Sequence, residues 1–113
     1  MTERCIFCEI ASKKIPSQII FEDKEVVAFK DIAPQAPIHI VIIPKKHIPS
    51  LMKITDYKAM ADIFRAAVKI AEDQGLNESG FRVISNYGPD AGQAVFHLHF
   101  HLLGGRKLGW PPG

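Results

Sequence analysis

Apolar residues form five short segments whose pattern is typical of β-strands. These segments cover residues 19–21, 26–29, 38–43, 81–85 and 95–103. A short polar run separates the first two segments, which predicts a hairpin. Because the connections between the early strands are short, we expect the strands to pair antiparallel.

Two other segments follow the helical period. The first covers residues 7–14 and is closed by Pro16. In the second, apolar residues recur at helical spacing from Met60 to Ala71, and Gly75 is placed to end the helix. Together the patterns predict an α+β fold in which two helices pack on one face of a single antiparallel sheet.

Length and composition indicate one globular domain over residues 1–113. Apolar residues make up 47% of the chain, and the net charge of +2 gives no electrostatic reason to expect nucleic acid or an anionic membrane as partner. No apolar run approaches the roughly 20 residues that span a bilayer. The N-terminal segment lacks the pattern of a secretory signal, so we expect a cytoplasmic protein.

Three histidines occupy alternate positions of the fifth predicted strand: His97, His99 and His101. Since successive side chains of a strand point to opposite faces, we expect the three imidazoles to share one face over roughly 13 Å. A neutral imidazole is a nucleophile at pH 7, and a His-x-His pair can also bind zinc. The pattern alone leaves three interpretations open: a nucleophilic site, a metal site and an exposed polar strand face.

The residues around these histidines resemble the histidine triad (HIT) superfamily. The loop before them has the spacing of its signature, and three further segments, at residues 31–39, 43–47 and 104–113, are similar to its Hint branch. The signature positions are Asn86, Gly88, Ala91, Gly92, Gln93, His97, His99 and His101. The match runs from about Ile6 to the last residue.

This resemblance implies a five-stranded antiparallel sheet that joins a second copy to form a ten-stranded sheet across a homodimer. It also implies binding of purine nucleoside monophosphates and hydrolysis of purine nucleoside 5′-phosphoramidates, AMP-N-linked substrates foremost. The reaction passes through a covalent nucleotidyl-histidine intermediate and needs no cofactor for its chemistry.

Residue roles follow from the same resemblance. His99 corresponds to the nucleophile, His101 to the residue that bonds a phosphate oxygen or the departing group, and His39 to the residue that buttresses the histidines. Asp31 corresponds to the acceptor of the ribose hydroxyls, for which two carboxylate oxygens are suited. The apolar residues expected around the base are Phe7, Ile10, Phe29 and Ile32. The residues expected at the phosphate are Asn86, Gly92, Gln93, Ala94 and Val95. Trp110 belongs to a C-terminal segment that, in the family, reaches toward the partner subunit's site.

One position departs from the family pattern. Hint relatives usually carry a serine where this chain has Ala94, and hydrolases of the Fhit branch carry a threonine. The missing hydroxyl costs about one to two decades in rate, so we expect slower phosphoramidate turnover than in serine-bearing relatives. Two alternatives therefore stay open: a dinucleoside polyphosphate hydrolase of the Fhit type, and a nucleotide-sensing or scaffold protein with vestigial turnover.

The only two cysteines, Cys5 and Cys8, have the C-x-x-C spacing that brings two thiolates onto one tetrahedral metal ion. Two more ligands are required, and His47 and His97 are the spare imidazoles. The resemblance extends to some bacterial members of the family, which bind structural zinc with two cysteines and two histidines. We therefore expect one closed Zn²⁺ site at these four residues, with two unliganded thiols as the alternative.

Overall fold

The computed structural model describes residues 5–113. Its five strands form one antiparallel sheet in the order β1-β2-β3-β5-β4, which confirms the predicted α+β class. The strands are β1 (Ile19–Glu22), β2 (Val26–Lys30), β3 (Ile38–Pro44), β4 (Phe81–Ser85) and β5 (Phe100–Gly104), and the helices are α1 (Ile6–Ala11), α2 (Lys58–Asp73) and the one-turn α3 (Leu76–Ser79). Short 3₁₀ turns cover Leu51–Lys53 and Pro89–Ala91.

The two main helices lie on opposite faces of the sheet, whereas the sequence predicted a single covered face. In β3, Ile40 and Ile42 pack in the cluster under α2, while Val41 and Ile43 pack on the side of α1. Apolar residues at consecutive positions of a strand need cover on both faces. The short α1 supplies that cover on the second face, mainly through the buried Ile10.

Helix α2 follows the predicted apolar stripe. Asp56 accepts a hydrogen bond from the Lys58 N–H at 3.0 Å at its start, and Gly75 adopts a left-handed conformation just beyond its end. Ile63 and Ile70 are buried in the core, whereas Phe64, which belonged to the predicted stripe, is 46% exposed. Among the helices of residues 5–113, none has the length and apolar character required to cross a membrane.

The fifth strand is shorter than predicted. It begins at Phe100, so residues 95–99 lie outside the strand ladder and the prediction that all three histidines sit on one regular strand is wrong. The Leu98 N–H instead donates to the Ile48 carbonyl at 2.6 Å. This irregular segment lets the fully buried His97 diverge from the direction of His101.

A close contact between β5 and α3 gives a test of the packing. A Cβ at Gly104 would lie 2.6 and 2.9 Å from the two Cδ atoms of Leu76, which is 3% exposed and has little room to move. We expect Gly104→Ala to lower the free energy of unfolding by about 1–3 kcal/mol in urea titrations. The same substitution at Gly109, where nothing lies within 4 Å, is the matched control.

A double-mutant cycle tests whether the clash with Leu76 causes this loss of stability. In a Leu76→Ala background the added methyl group has space, so the cost of Gly104→Ala should disappear. An equal loss in both backgrounds would contradict the steric explanation.

Candidate active site and metal centre

Two strands and the segment before β5 bring three histidines together on the α1 face of the sheet. His39 of β3 and His101 of β5 are diagonal neighbours, because Val41 pairs with His101 and His39 pairs with Leu103. Their rings lie 5.1 Å apart between centroids, and the His99 ring lies 5.2 Å from that of His101. The sequence predicted this group, although with a spacing of about 7 Å along a regular strand.

The orientation of His99 follows from one backbone group. Its Nδ1 lies 2.7 Å from the His97 carbonyl oxygen. A carbonyl oxygen only accepts, so we assign the proton to Nδ1, and the Nε2 lone pair remains free. The ring is 8% exposed and stands edge-on to Phe7 at 5.1 Å between centroids. His99 is thus a fixed imidazole with its nucleophilic nitrogen defined.

The protons on His39 and His101 can be assigned in the same way. The Gln35 backbone N–H donates to His39 Nδ1 at 3.0 Å, so the proton of a neutral His39 is on Nε2. His39 Nε2 lies 2.8 Å from His101 Nδ1 and donates to it. The proton of a neutral His101 is consequently on Nε2. Next to the His99 lone pair the site therefore offers a hydrogen-bond donor.

Burial keeps these two rings neutral. It lowers the pKa of His101 to about 4, with the neighbouring His99 and His39 as further causes and Asp31 acting in the opposite direction. It also lowers the pKa of His39, again opposed by Asp31. At neutral pH both imidazoles carry one proton, as the assignment above requires.

Asp31 lies directly after β2 at the edge of this group. Its Oδ1 accepts the Ala33 N–H at 2.8 Å, and its Oδ2 lies 3.5 Å from His39 Nε2 and 4.0 Å from His101 Nδ1. These three residues also satisfy the distances of a metal site. A metal ion would have to replace the His39 Nε2 proton while the Gln35 N–H occupies Nδ1, so the hydrogen bonds disfavour it.

A second cluster lies at the start of α1. Cys5, Cys8, His47 and His97 place their ligand atoms within 4.8 Å of one another, as the sequence predicted. The Cys5 Sγ lies 3.3 Å from His97 Nδ1, and the Cys8 Sγ lies 3.3 Å from His47 Nδ1. These residues form a candidate metal centre with the two thiols and two imidazoles of a tetrahedral site.

The surroundings of the cluster fit a cation. His97 Nε2 donates to the Pro44 carbonyl at 2.8 Å, which turns the Nδ1 lone pair toward the cysteines. Burial raises the pKa of the Cys8 thiol to about 11, and the hydrogen bond with Cys5 and the charge of the Cys5 thiolate act in the same direction. A divalent cation among the four residues would stabilise the thiolates that this environment otherwise disfavours.

The apolar residues predicted around the base divide into two groups. Ile10 and Phe29 are buried in the α1-side core, and the Phe7 ring packs on Phe29 at 5.5 Å between centroids and on His99. Ile32 is 100% exposed and Trp110 is 81% exposed. Ile32 therefore supplies uncovered apolar surface beside Asp31, whereas the Trp110 ring lies against the guanidinium of Arg82 on β4, 6.0 Å from its Cζ.

The loop before the histidines is organised by Gln93. Its Oε1 accepts the Gly88 N–H at 3.1 Å, and its Nε2 donates to the carbonyls of Pro49 and Val95 at 3.2 and 3.3 Å. Gly92 adopts a positive φ of 75°, which a side chain would disfavour. The side chain of Gln93 thus shapes the loop, while Asn86 and Ala94 lie at its two ends.

Sequence reasoning missed two residues of the site, Gln35 and Pro44. Both act through backbone atoms, by an N–H to His39 and a carbonyl to His97. Backbone donors and acceptors leave no signal in residue type. The alternation of His97, His99 and His101 was visible, but the protons on their rings were not.

A model of the HIT domain family matches residues 12–108. The chain belongs to the HIT family. It is 49% identical over 115 residues to an uncharacterized HIT-like protein of Synechococcus elongatus, and 44% identical over 115 residues to one of Synechocystis, each alignment covering 100% of both chains.

Solved HIT structures share this fold closely. A HIT family hydrolase from Legionella pneumophila superposes with a TM-score of 0.95 at 48% identity, covering 97% of this chain and 100% of its own. A HIT family hydrolase from Clostridium thermocellum gives a TM-score of 0.92 at 50% identity, covering 96% of each chain. The HIT chain described here therefore has the fold of HIT family hydrolases.

The buried state of His101 predicts a pH dependence of stability. Its pKa is about 4 in the folded chain against an ordinary value of 6.5, so unfolding takes up a proton between these values. The stability contributed by the neutral ring is present above pH 6.5 and is lost as the pH falls toward 4. Urea titrations should show that wild type loses about 2 kcal/mol more than His101→Gln between pH 7 and pH 5.

Both proteins are titrated at the same zinc concentration, since the cluster at Cys5 and Cys8 is unchanged by the substitution. Its own pH dependence then cancels in the comparison. Parallel pH profiles for the two proteins would refute the assignment of a depressed pKa to His101.

Proposed function

We propose that the protein hydrolyses purine nucleoside 5′-phosphoramidates, with AMP-N-linked amines as substrates. The observation that carries the proposal is the pair of defined ring nitrogens, a lone pair on His99 Nε2 and a donor on His101 Nε2, on rings whose centroids lie 5.2 Å apart. A neutral nucleophile next to a hydrogen-bond donor is the combination that phosphoryl transfer to nitrogen requires. Membership of a family that includes hydrolases supports the same class of reaction.

In the proposed reaction, His99 Nε2 donates its lone pair to the α-phosphorus and the bond from phosphorus to the amine breaks. The departing nitrogen keeps that electron pair and takes a proton from solvent. The His101 Nε2–H stabilises a phosphate oxygen or the departing nitrogen by a hydrogen bond. Water then attacks phosphorus and gives up a proton to solvent while the bond from phosphorus to His99 Nε2 breaks, which releases the nucleoside monophosphate and returns the electron pair to Nε2.

Substrate binding is assigned to the surface around Asp31. Its carboxylate can accept both ribose hydroxyls, since each is a donor. The fully exposed Ile32 lies next to it and offers apolar surface to a purine. The proposed base site thus combines one charged acceptor with Ile32 and Phe7 of one chain and, across the homodimer, with Trp110 of the partner subunit.

The site is proposed to work in a homodimer. Strand β4 is at one edge of the sheet, so one row of its N–H and C=O groups has no strand partner among residues 5–113. Pairing β4 with a second copy would extend five strands to ten. Phe64 and Val68, one turn apart on α2, are 46% and 53% exposed and supply apolar surface for the same contact.

The function is tested with adenosine 5′-phosphoramidate as the substrate. Wild type should release AMP, and His99→Gln should lower kcat by at least about 10³-fold because the nucleophile is absent. Mass spectrometry after an acid-free quench should find the nucleotidyl group on His99 of wild type. AMP binding measured for both proteins controls for folding.

The competing functions give different results in the same assay. Faster cleavage of diadenosine polyphosphate would favour the Fhit-type alternative, and turnover that survives His99→Gln would favour a nucleotide-sensing protein. Ala94→Ser should raise kcat/KM by about one to two decades, since it restores a hydroxyl beside the departing amine.

We also propose that Cys5, Cys8, His47 and His97 bind structural Zn²⁺. Two thiolates and two imidazoles match the tetrahedral preference of zinc, and the closed set leaves no position for substrate. Zinc would link α1 to the segment that carries the catalytic histidines. Zinc binding requires both cysteines in the reduced state, which a reducing compartment maintains, so we place the protein in the cytoplasm.

Zinc binding is tested by metal analysis of protein purified without chelators. Wild type should carry about one equivalent of zinc per chain, and Cys8→Ser should carry less than half and melt at least about 5 °C lower. Asp31→Asn is the matched control, because it alters only the other cluster. If Asp31→Asn lost zinc and Cys8→Ser retained it, the metal would belong to the cluster of Asp31 and not to that of Cys8.

A further inference from the structure

Arg106, just after β5, binds the loop that carries the donor to His39. Its Nε and Nη2 donate to the Gln35 carbonyl at 3.2 and 3.0 Å, and its Nη1 donates to the Lys107 carbonyl at 2.9 Å. The planar guanidinium thus holds the Gln35 carbonyl oxygen with two N–H donors that converge on it, a geometry that lysine cannot reproduce.

The preceding residue allows this approach. Gly105 has a positive φ of 89°, and a Cβ at this position would lie 3.0 Å from Pro37 Cβ. The chain after β5 therefore passes directly against the loop of residues 31–37. The close contact brings the Arg106 side chain within reach of the Gln35 carbonyl.

Gln35 connects this contact to the catalytic histidines. Its carbonyl accepts from Arg106, and its N–H, on the other side of the same Cα, donates to His39 Nδ1 at 3.0 Å. Gln35 is an exposed residue of this loop, so water can reach its surroundings. Water can both donate and accept, so a water molecule at His39 Nδ1 would not fix the tautomer, whereas an amide N–H does.

We propose that Arg106 is a positioning residue that sets the protons of the site. By holding Gln35 it keeps the N–H aimed at His39 Nδ1, and the proton of His101 stays on Nε2 as a donor. This role rests on the proposed hydrolysis, in which that donor stabilises the reacting group. Within residues 5–113, the hydrogen bonds of the Arg106 side chain all go to backbone carbonyls.

The proton positions are read by ¹H–¹⁵N NMR of protein with labelled histidine rings at neutral pH. In wild type, Nε2 of His39 and of His101 should be protonated and their Nδ1 atoms should not. Arg106→Met should shift both tautomer ratios by about fivefold, the usual worth of one hydrogen bond. The rings of His97 and His99, fixed by other carbonyls, should not change.

Kinetics separate positioning from a structural role. Arg106→Met should lower kcat two- to fivefold, in proportion to the fraction of His101 that no longer carries its proton on Nε2. The Kd for AMP should change by less than about twofold. Arg106→Lys, which keeps a charge without the planar fork, should give an intermediate tautomer ratio and covers the case in which Arg106→Met does not fold. Arg65→Met is the matched control, since Arg65 is an exposed arginine that pairs with Asp62 on α2.

Unchanged tautomers in the Arg106 variants would overturn the proposal, as would a rise in the Kd for AMP with kcat unaffected. An NMR spectrum of wild type with the His39 proton on Nδ1 would also overturn the proposal. If wild type cleaves no phosphoramidate, the proposed function fails, whereas the NMR result still decides whether Arg106 sets the protons.

Discussion

The buried His97 is the residue on which the rest of the site depends. Its side chain donates to the Pro44 carbonyl and presents Nδ1 to the cysteines, while its own carbonyl accepts from His99. One residue therefore joins the candidate metal centre to His99, the proposed nucleophile, through its side chain and its backbone. A displacement of His97 would disturb both at once, because the ring and the carbonyl share one short segment.

The second constraint is neutral charge in a crowded group of imidazoles. Three rings within about van der Waals contact cannot all be protonated without strong repulsion, and burial lowers the pKa of His39 and His101 further. Neutral rings have tautomers, and here backbone groups select them. The same burial that costs stability at low pH thus creates a lone pair and a donor with defined positions at neutral pH.

Much of this arrangement could be predicted from the sequence. Short apolar segments predicted the strands of the sheet and the helical stripe predicted α2, while residue types identified the histidines and cysteines. The path of residues 95–99 could not be predicted, because His97 leaves the strand to satisfy partners at Cys5 and Pro44 that are distant in sequence. The position of α1 on the second face likewise depends on the sheet that it covers.

The His97 carbonyl has a further consequence for the proposed chemistry. When His99 Nε2 bonds phosphorus, the ring keeps its Nδ1 proton and becomes positively charged. The carbonyl oxygen at 2.7 Å presents the negative end of its dipole to that proton, so the contact strengthens as the intermediate forms. The interaction is present before the reaction and needs no rearrangement. One contact thus fixes the Nδ1 proton before the reaction and stabilises the charged ring that the proposed reaction forms.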